Sequence, residues 1–251
     1  MQRQLLFLLT LISSSLLGQR NVSSETIGTP WVGIQYGINQ PINSFQERFG
    51  LLNSLGINAG YKTKRNWFLG VDVNFLFGNQ IKTGDILKNL RDSYGNITDV
   101  NGDVAAILLF SRGYNANLSF GKIIPIFGSN PNSGIFIQAG AGYLQYHIRI
   151  ESNKQIIPQV ELDYRKGYDR LTGGVSTHEF LGYAYMANNG LVNFYAGFYF
   201  LQGYTYNQRT MFFDQPNEPV SKSMRNDNLY GFRAGWLIPI YKSKPKDFYY
   251  N

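Results

Sequence analysis

Between Trp31 and Tyr241 the chain alternates apolar and small polar residues with a period of two. That is the spacing of a β-strand whose two faces meet different surroundings. In the first segment Val32, Ile34, Tyr36 and Ile38 share one face, and Gly33, Gln35, Gly37 and Asn39 share the other. In the third, Leu69, Val71, Val73, Phe75 and Phe77 oppose Gly70, Asp72, Asn74 and Gly78. Further segments lie near 54–62, 113–121, 135–150, 181–186, 193–200 and 230–238. In the fifth, Ile137, Ala139 and Ala141 oppose Gln138, Gly140 and Gly142, and a break in parity near Tyr143 and Leu144 predicts a bulge. Eight segments of about ten residues fit an even-stranded, antiparallel, up-and-down barrel of membrane-crossing length.

The connections alternate in length. Residues 62–66, 128–134 and the Asn188-Asn189-Gly190 run are short and rich in turn formers. Between them lie longer loops near 40–53, 79–103, 151–178 and 205–226. Short turns on one side and long loops on the other are the pattern of a barrel with periplasmic turns and extracellular loops.

Alternation alone does not say which face is outside, because a soluble barrel also alternates. Composition decides. Charged residues are only 16% of the chain while aromatics also reach 16%. The polar face is Gly, Asn, Gln and Ser rather than Lys and Glu, too weakly charged for a surface facing water. An eight-stranded barrel also has a lumen just wide enough to be filled by side chains, so a wall of Phe, Tyr and Leu would overfill it. The apolar face is therefore expected to meet lipid. Trp31, Tyr61, Trp67, Trp236 and Tyr241 near strand ends are expected in interfacial girdles. Past residue 18 no apolar run is long enough for a membrane helix. The absence of Cys excludes disulfides and thiolate metal sites.

Residues 1–18 read as a secretory signal peptide, with Arg3, an apolar core over Leu5 to Ile12, and small residues before Gln19. The expected layout is a signal peptide over 1–18, a periplasmic segment over 19–30, the barrel over 31–241 and a short basic tail over 242–251. Leader, eight alternating segments and four long loops resemble the eight-stranded outer-membrane barrels typified by OmpX and the transmembrane domain of OmpA, in a Bacteroidetes-like composition. The resemblance implies the outer membrane of a Gram-negative bacterium and a structural, interaction or porin-like role. Unlike OmpA, the chain is expected to have no peptidoglycan-binding domain after the barrel. An echo between 122–127 (KIIPIF) and 236–241 (WLIPIY) places Pro125 and Pro239 at the periplasmic rim.

Removing Arg3 lowers the formal charge from +7 to +6. Lys62, Lys64, Arg65, Lys122, Lys242, Lys244 and Lys246, less Asp247, account for that excess at the predicted periplasmic rim, which suits anionic headgroups or a periplasmic protein partner. Outer-membrane lipids are the primary expected partner. No nucleic-acid partner is expected, since barrel patterning explains the pI of about 9.4.

In the lumen, Asp72 and Arg233 are expected to pair with each other or with Lys62 or Asn74, within a polar network extended by Gln35, Asn58, Asn115, Asn117, Gln138 and Asn193. Ser176 and His178 at the start of the sixth strand are a weak candidate for a rim active site on lipid. Neighbouring Glu179 faces the other way, so the orienting acid of such a site would have to come from elsewhere. His147 is expected at the rim as well. Asp99, Asn101 and Asp103 have the look of a minimal calcium run but read better as an Asx turn, so no metal is expected. The Gly-rich stretch over 166–174 suits a contact loop, and Ile86, Leu87 and Leu90 suit a short helical turn that either caps the mouth or folds on itself. No cofactor and no enzymatic activity are expected. The favoured role is a structural or interaction subunit accessory to a secretion or assembly complex, with a lipid-modifying enzyme and a narrow channel as alternatives.

Overall fold

A computed structural model describes residues 25–187 and 192–240. The leader, the Asn188–Gly190 turn and the tail with Tyr241, Lys242, Lys244, Lys246 and Asp247 lie outside the described residues. Eight strands form a closed antiparallel barrel in which each pairs with its chain neighbour and the last pairs with the first. They are β1 (Thr29–Asn43), β2 (Leu52–Lys62), β3 (Trp67–Gly78), β4 (Leu108–Ile124), β5 (Gly134–Glu151), β6 (Thr172–Met186), β7 (Asn193–Asn207) and β8 (Arg225–Pro239). Stepping from Val32 through partners Ala59, Val71, Leu118, Ala141, Thr177, Gln202 and Asn228 returns to β1 at Ile42, ten residues further along. This stagger fixes the strand tilt and the narrow bore.

The strands are longer than the ten-residue segments expected, because the ladder continues beyond the apolar band. β4 and β5 reach 17 and 18 residues and rise together as a hairpin. The loops run over 44–51, 79–107, 152–171 and 208–224, so the first, third and fourth are shorter than expected while the second extends four residues further, to the start of β4.

The apolar face points outward. Phe75, Phe198 and Trp236 are 50%, 73% and 55% exposed, while Asn74, Asn117 and Arg233 are 1%, 5% and 4% exposed. So much contiguous exposed Leu, Ile, Val and Phe belongs against acyl chains. Closure leaves no strand edge to face hydrocarbon.

The fifth strand corrects one expectation. Its register against β4 and β6 is continuous, with no bulge at Tyr143 and Leu144. Leu144, Tyr146, Ile148 and Ile150 keep the lumen-facing parity of Phe136 and are buried. Apolar residues appear on the wrong face there because the upper lumen is a hydrophobic core, filled from above by the 44–51 loop. Phe45 and Phe49 are fully buried and meet the Tyr146 ring at 4.5 and 5.4 Å between centroids.

The floor of the lumen is aromatic rather than small and polar. Trp31 points inward and stacks on Phe68 at 3.9 Å, instead of joining a girdle. Phe136, Phe180 and Tyr195 continue this layer. Tyr61, Trp67 and Trp236 do face outward near the lower rim. The rings fit because glycines face them. A Cβ on Gly60 would stand 2.7 Å from the Trp31 ring, and one on Gly182 would stand 2.6 Å from Phe180 Cζ and 2.2 Å from the Ala196 carbonyl oxygen.

Gly182→Leu is therefore expected to destabilise the barrel by at least about 1–3 kcal/mol through overpacking against backbone. The check is the fraction of refolded protein that keeps the heat-modifiable mobility of a closed barrel in unheated gel samples.

Candidate functional site

The middle of the lumen is a polar network assembled from inward positions on six strands. Gln35 Nε2 on β1 donates to Asn74 Oδ1 on β3 at 2.5 Å, and Gln35 Oε1 accepts from Asn58 Nδ2 on β2 at 3.1 Å and from the Tyr195 hydroxyl on β7. Asn58 Oδ1 in turn accepts from Trp31 Nε1 at 3.2 Å. Asp72 receives Asn74 Nδ2 at 2.6 Å, Asn117 Nδ2 at 2.8 Å and the Ser119 hydroxyl at 3.3 Å, so a buried carboxylate is ringed by donors. Ser119 Oγ also lies 3.2 Å from His178 Nε2 on β6. Asn115 Nδ2 reaches the Tyr199 hydroxyl at 3.4 Å. Asn193 is buried, and Gln138 is half-buried on the same lumen-facing parity.

Asp72 and Arg233 do not form an ion pair within 4 Å. Arg233 lies over the Tyr199 ring, 3.4 Å from its centroid, as a cation–π contact on the other side of the bore. Dividing the two charges this way gives each its own partners in a cramped space. Lys62 takes part in neither. It is 2% exposed, and its Nζ donates to the Ile27 carbonyl at 2.9 Å and to Asn132 Oδ1 at 2.8 Å. Asn132 belongs to the 125–133 turn and also accepts the Ile27 N–H at 2.9 Å. Lys62 thus ties the segment before β1 to a turn folded under the barrel and does not stand on the rim. Lys64, Arg65 and Lys122 are exposed at that end, with Lys122 over Trp67 at 4.7 Å.

Ser176 and His178 also move. Both are 1% exposed and point into the lumen, not towards lipid at the rim. Strand parity required this once β6 was seen to begin at Thr172. The inward residues Ser119, Tyr195, Tyr199 and Trp31 share the parity of the polar positions named from sequence, which was the signal for them. His147 is half-buried on the outward face of β5, above the apolar band.

Charged and polar contacts lock the mouth. Arg48, on the same loop as Phe45 and Phe49, donates to Thr172 Oγ1 at 2.7 Å and Asn207 Oδ1 at 2.9 Å. Arg170 pairs with Asp214 at 2.5 Å and covers the Phe212 ring, linking the 152–171 and 208–224 loops. Arg209 pairs with Asp169 at 2.5 Å, which holds the Arg209 guanidinium above its ordinary range. Tyr146 donates to Asp227 Oδ2 at 2.5 Å. Ile86 and Leu87 are buried, so the short helical turn Lys88–Leu90 faces the apolar cluster with its preceding residues. In the 79–107 loop Asp99 Oδ1 accepts the N–H groups of Asn101 and Asp103 at 2.8 and 3.0 Å, closing an Asx turn. Among the described residues no His, Cys, Asp and Glu cluster is arranged to hold a metal ion.

Closed ladder, outward apolar band and filled bore together define an eight-stranded transmembrane β-barrel of the outer-membrane type. No family model matches the chain, and no curated protein matches it. Among solved structures it is similar in fold to Neisserial surface protein A, at 14% identity over 84% of this chain and 98% of that one, with a TM-score of 0.39. It is also similar to Ail of Yersinia pestis, at 10% identity over 84% and 98% with a TM-score of 0.40. The N-terminal β-barrel domain of Pseudomonas aeruginosa OprF matches at 14% identity over 84% and 99%, with a TM-score of 0.36.

Asp72→Leu is expected to leave the donors of Asn74, Asn117 and Ser119 without their acceptor. Each orphaned group costs about 1–3 kcal/mol, so the urea midpoint in detergent should fall steeply while Asp72→Asn retains part of the network. In the 79–107 loop, the Arg91 hydrogen bond holds the Asp85 carboxyl below its usual range. A depressed carboxyl stabilises above its unfolded pKa of about 3.9 and loses that contribution as pH falls through the folded value. The Arg91 Nε–H resonance in nanodiscs should stay constant from about pH 7 to 5 and shift only on acidification below about pH 4.

Proposed function

We propose that this protein is a closed outer-membrane scaffold: a rigid barrel that presents its extracellular loops and periplasmic end to other proteins, as a structural or interaction subunit accessory to a secretion or assembly complex. The observation that carries this reading is the filling of the bore at three depths. Aromatic rings occupy the floor, the Asp72-centred network occupies the middle, and Phe45 and Phe49 seal the mouth. A barrel so filled supports presentation rather than transport. The inward placement of Ser176 and His178, away from any lipid substrate, supports a non-enzymatic role.

Residues offered for contact are on the loops. Tyr94 and Leu162 are each 88% exposed and Tyr164 is 63% exposed. Loops on a rigid scaffold are the common seat of recognition. Beneath, exposed Lys64, Arg65 and Lys122 suit anionic headgroups or an acidic periplasmic surface.

Purified protein in planar bilayers is expected to be electrically silent, and crosslinking in native membranes is expected to attach a protein to residues 94 and 162. Stable unitary conductance would refute the closed scaffold. A change in lipid A mass spectra on deletion, reversed by wild type but not by His178→Ala, would replace it with an enzymatic role.

A further inference from the structure

Glu179 is the eighth of the fifteen residues of β6 and points outward. Among the described lipid-facing positions between Lys122 at the lower rim and Arg112 at the upper, it is the one that carries a charge. No described residue makes a hydrogen bond or ion pair with it. An unpaired carboxyl at the middle of the apolar band is costly, and such residues mark functional contacts.

Its surroundings are asymmetric at the same depth. Its register partners are Ala139 on β5 and Phe200 on β7. The stagger of ten residues over eight strands makes each register partner on the next strand lie slightly more than one residue higher. Glu179 is therefore level with the gap between Ala139 and Ala141 on one side, and with the gap between Phe198 and Phe200 on the other. Phe198, at 73% exposed, projects furthest of the large apolar residues on the strands. Glu179 lines an outward-facing hollow of about 490 Å³ together with Ala139, Phe198 and Phe200.

We propose that this sector of β5–β7 docks a second copy of the chain in the plane of the membrane, about a two-fold axis passing beside Glu179. Copies inserted in one orientation hold Glu179 at equal depth. The band offers no cation of its own at that depth, and a second copy supplies each Glu179 with the one polar side chain that lies at the same height on the outward face. The same rotation sets Phe198 and Phe200 of each copy opposite Ala139 and Ala141 of the other. Projection meets hollow twice, as an isologous interface requires. The pairing rests on the placement of the barrel in the bilayer and adds a partner to the scaffold reading.

The test uses the full mature chain in phosphatidylethanolamine–phosphatidylglycerol vesicles, with self-association read by fluorescence energy transfer as the protein-to-lipid ratio is varied. Wild type should dimerise. Glu179→Leu should weaken dimerisation at least tenfold, Glu179→Gln less so, and Ala139→Phe should block it by filling the hollow. In the Cys-free chain, Thr177→Cys should cross-link to its counterpart with a short bis-maleimide, while Val71→Cys across the barrel should not. Each variant is scored only after its gel mobility shows a closed barrel. Folded wild type that stays monomeric, Glu179→Leu that pairs as wild type does, equal cross-linking at Val71, or a Thr177 cross-link in native membranes to a different polypeptide would each overturn the proposal. None of these outcomes bears on bilayer silence, so the scaffold reading is judged separately.

Discussion

A backbone that crosses hydrocarbon has to satisfy its own N–H and C=O groups, and everything else in this molecule follows from the way eight strands do so. Joining β8 to β1 removes the last open edge. The stagger that joining requires sets the bore, and the bore sets what fits inside. Small residues are then needed wherever a ring or amide crosses the lumen. Gly60 faces Trp31, Gly182 faces Phe180, and Gly140 lies so near His178 that a Cβ would stand 2.5 Å from the imidazole. The polar interior is thus matched position by position to the wall around it.

The three depths of the lumen solve one problem by different means. In the floor, rings exclude water and need few polar partners. In the middle, where Asp72 and Arg233 are buried, the charges are separated and each is held by neutral groups: amides and a hydroxyl for one, the Tyr199 ring for the other. At the mouth, apolar side chains of β5 receive Phe45 and Phe49, and ion pairs above them tie neighbouring loops together. Losing any one layer leaves the bore obstructed by the other two.

The outward band and the strand order were legible because Leu69, Val71, Val73 and Phe75 alternate without interruption against Asp72 and Asn74. The upper half of β5 misled for a physical reason. Leu144, Tyr146, Ile148 and Ile150 are buried by a loop distant in sequence, and periodicity cannot tell an apolar residue covered by a loop from one covered by lipid. Extending the parity of Gly140 and Gly142 through the segment would have placed them inside. Lys62 and Trp31 misled similarly, since the group that covers Lys62 is Asn132, seventy positions away. Ser176 and His178 were misplaced by a strand start set too late in the chain. Glu179 was seen to face away from them, but its depth depends on the stagger, which no single segment reveals.

The tall β4–β5 hairpin has a consequence for reach. Its upper rungs, where Leu108 pairs with Glu151, stand well above the last lipid-facing residues. At about 3.3 Å of rise per residue along a tilted strand, six extra rungs lift the attached loops by roughly 15 Å. The hairpin acts as a mast, carrying the 79–107 and 152–171 segments clear of the headgroups. Tyr94 and Leu162, both strongly exposed, belong to the two segments that this hairpin carries.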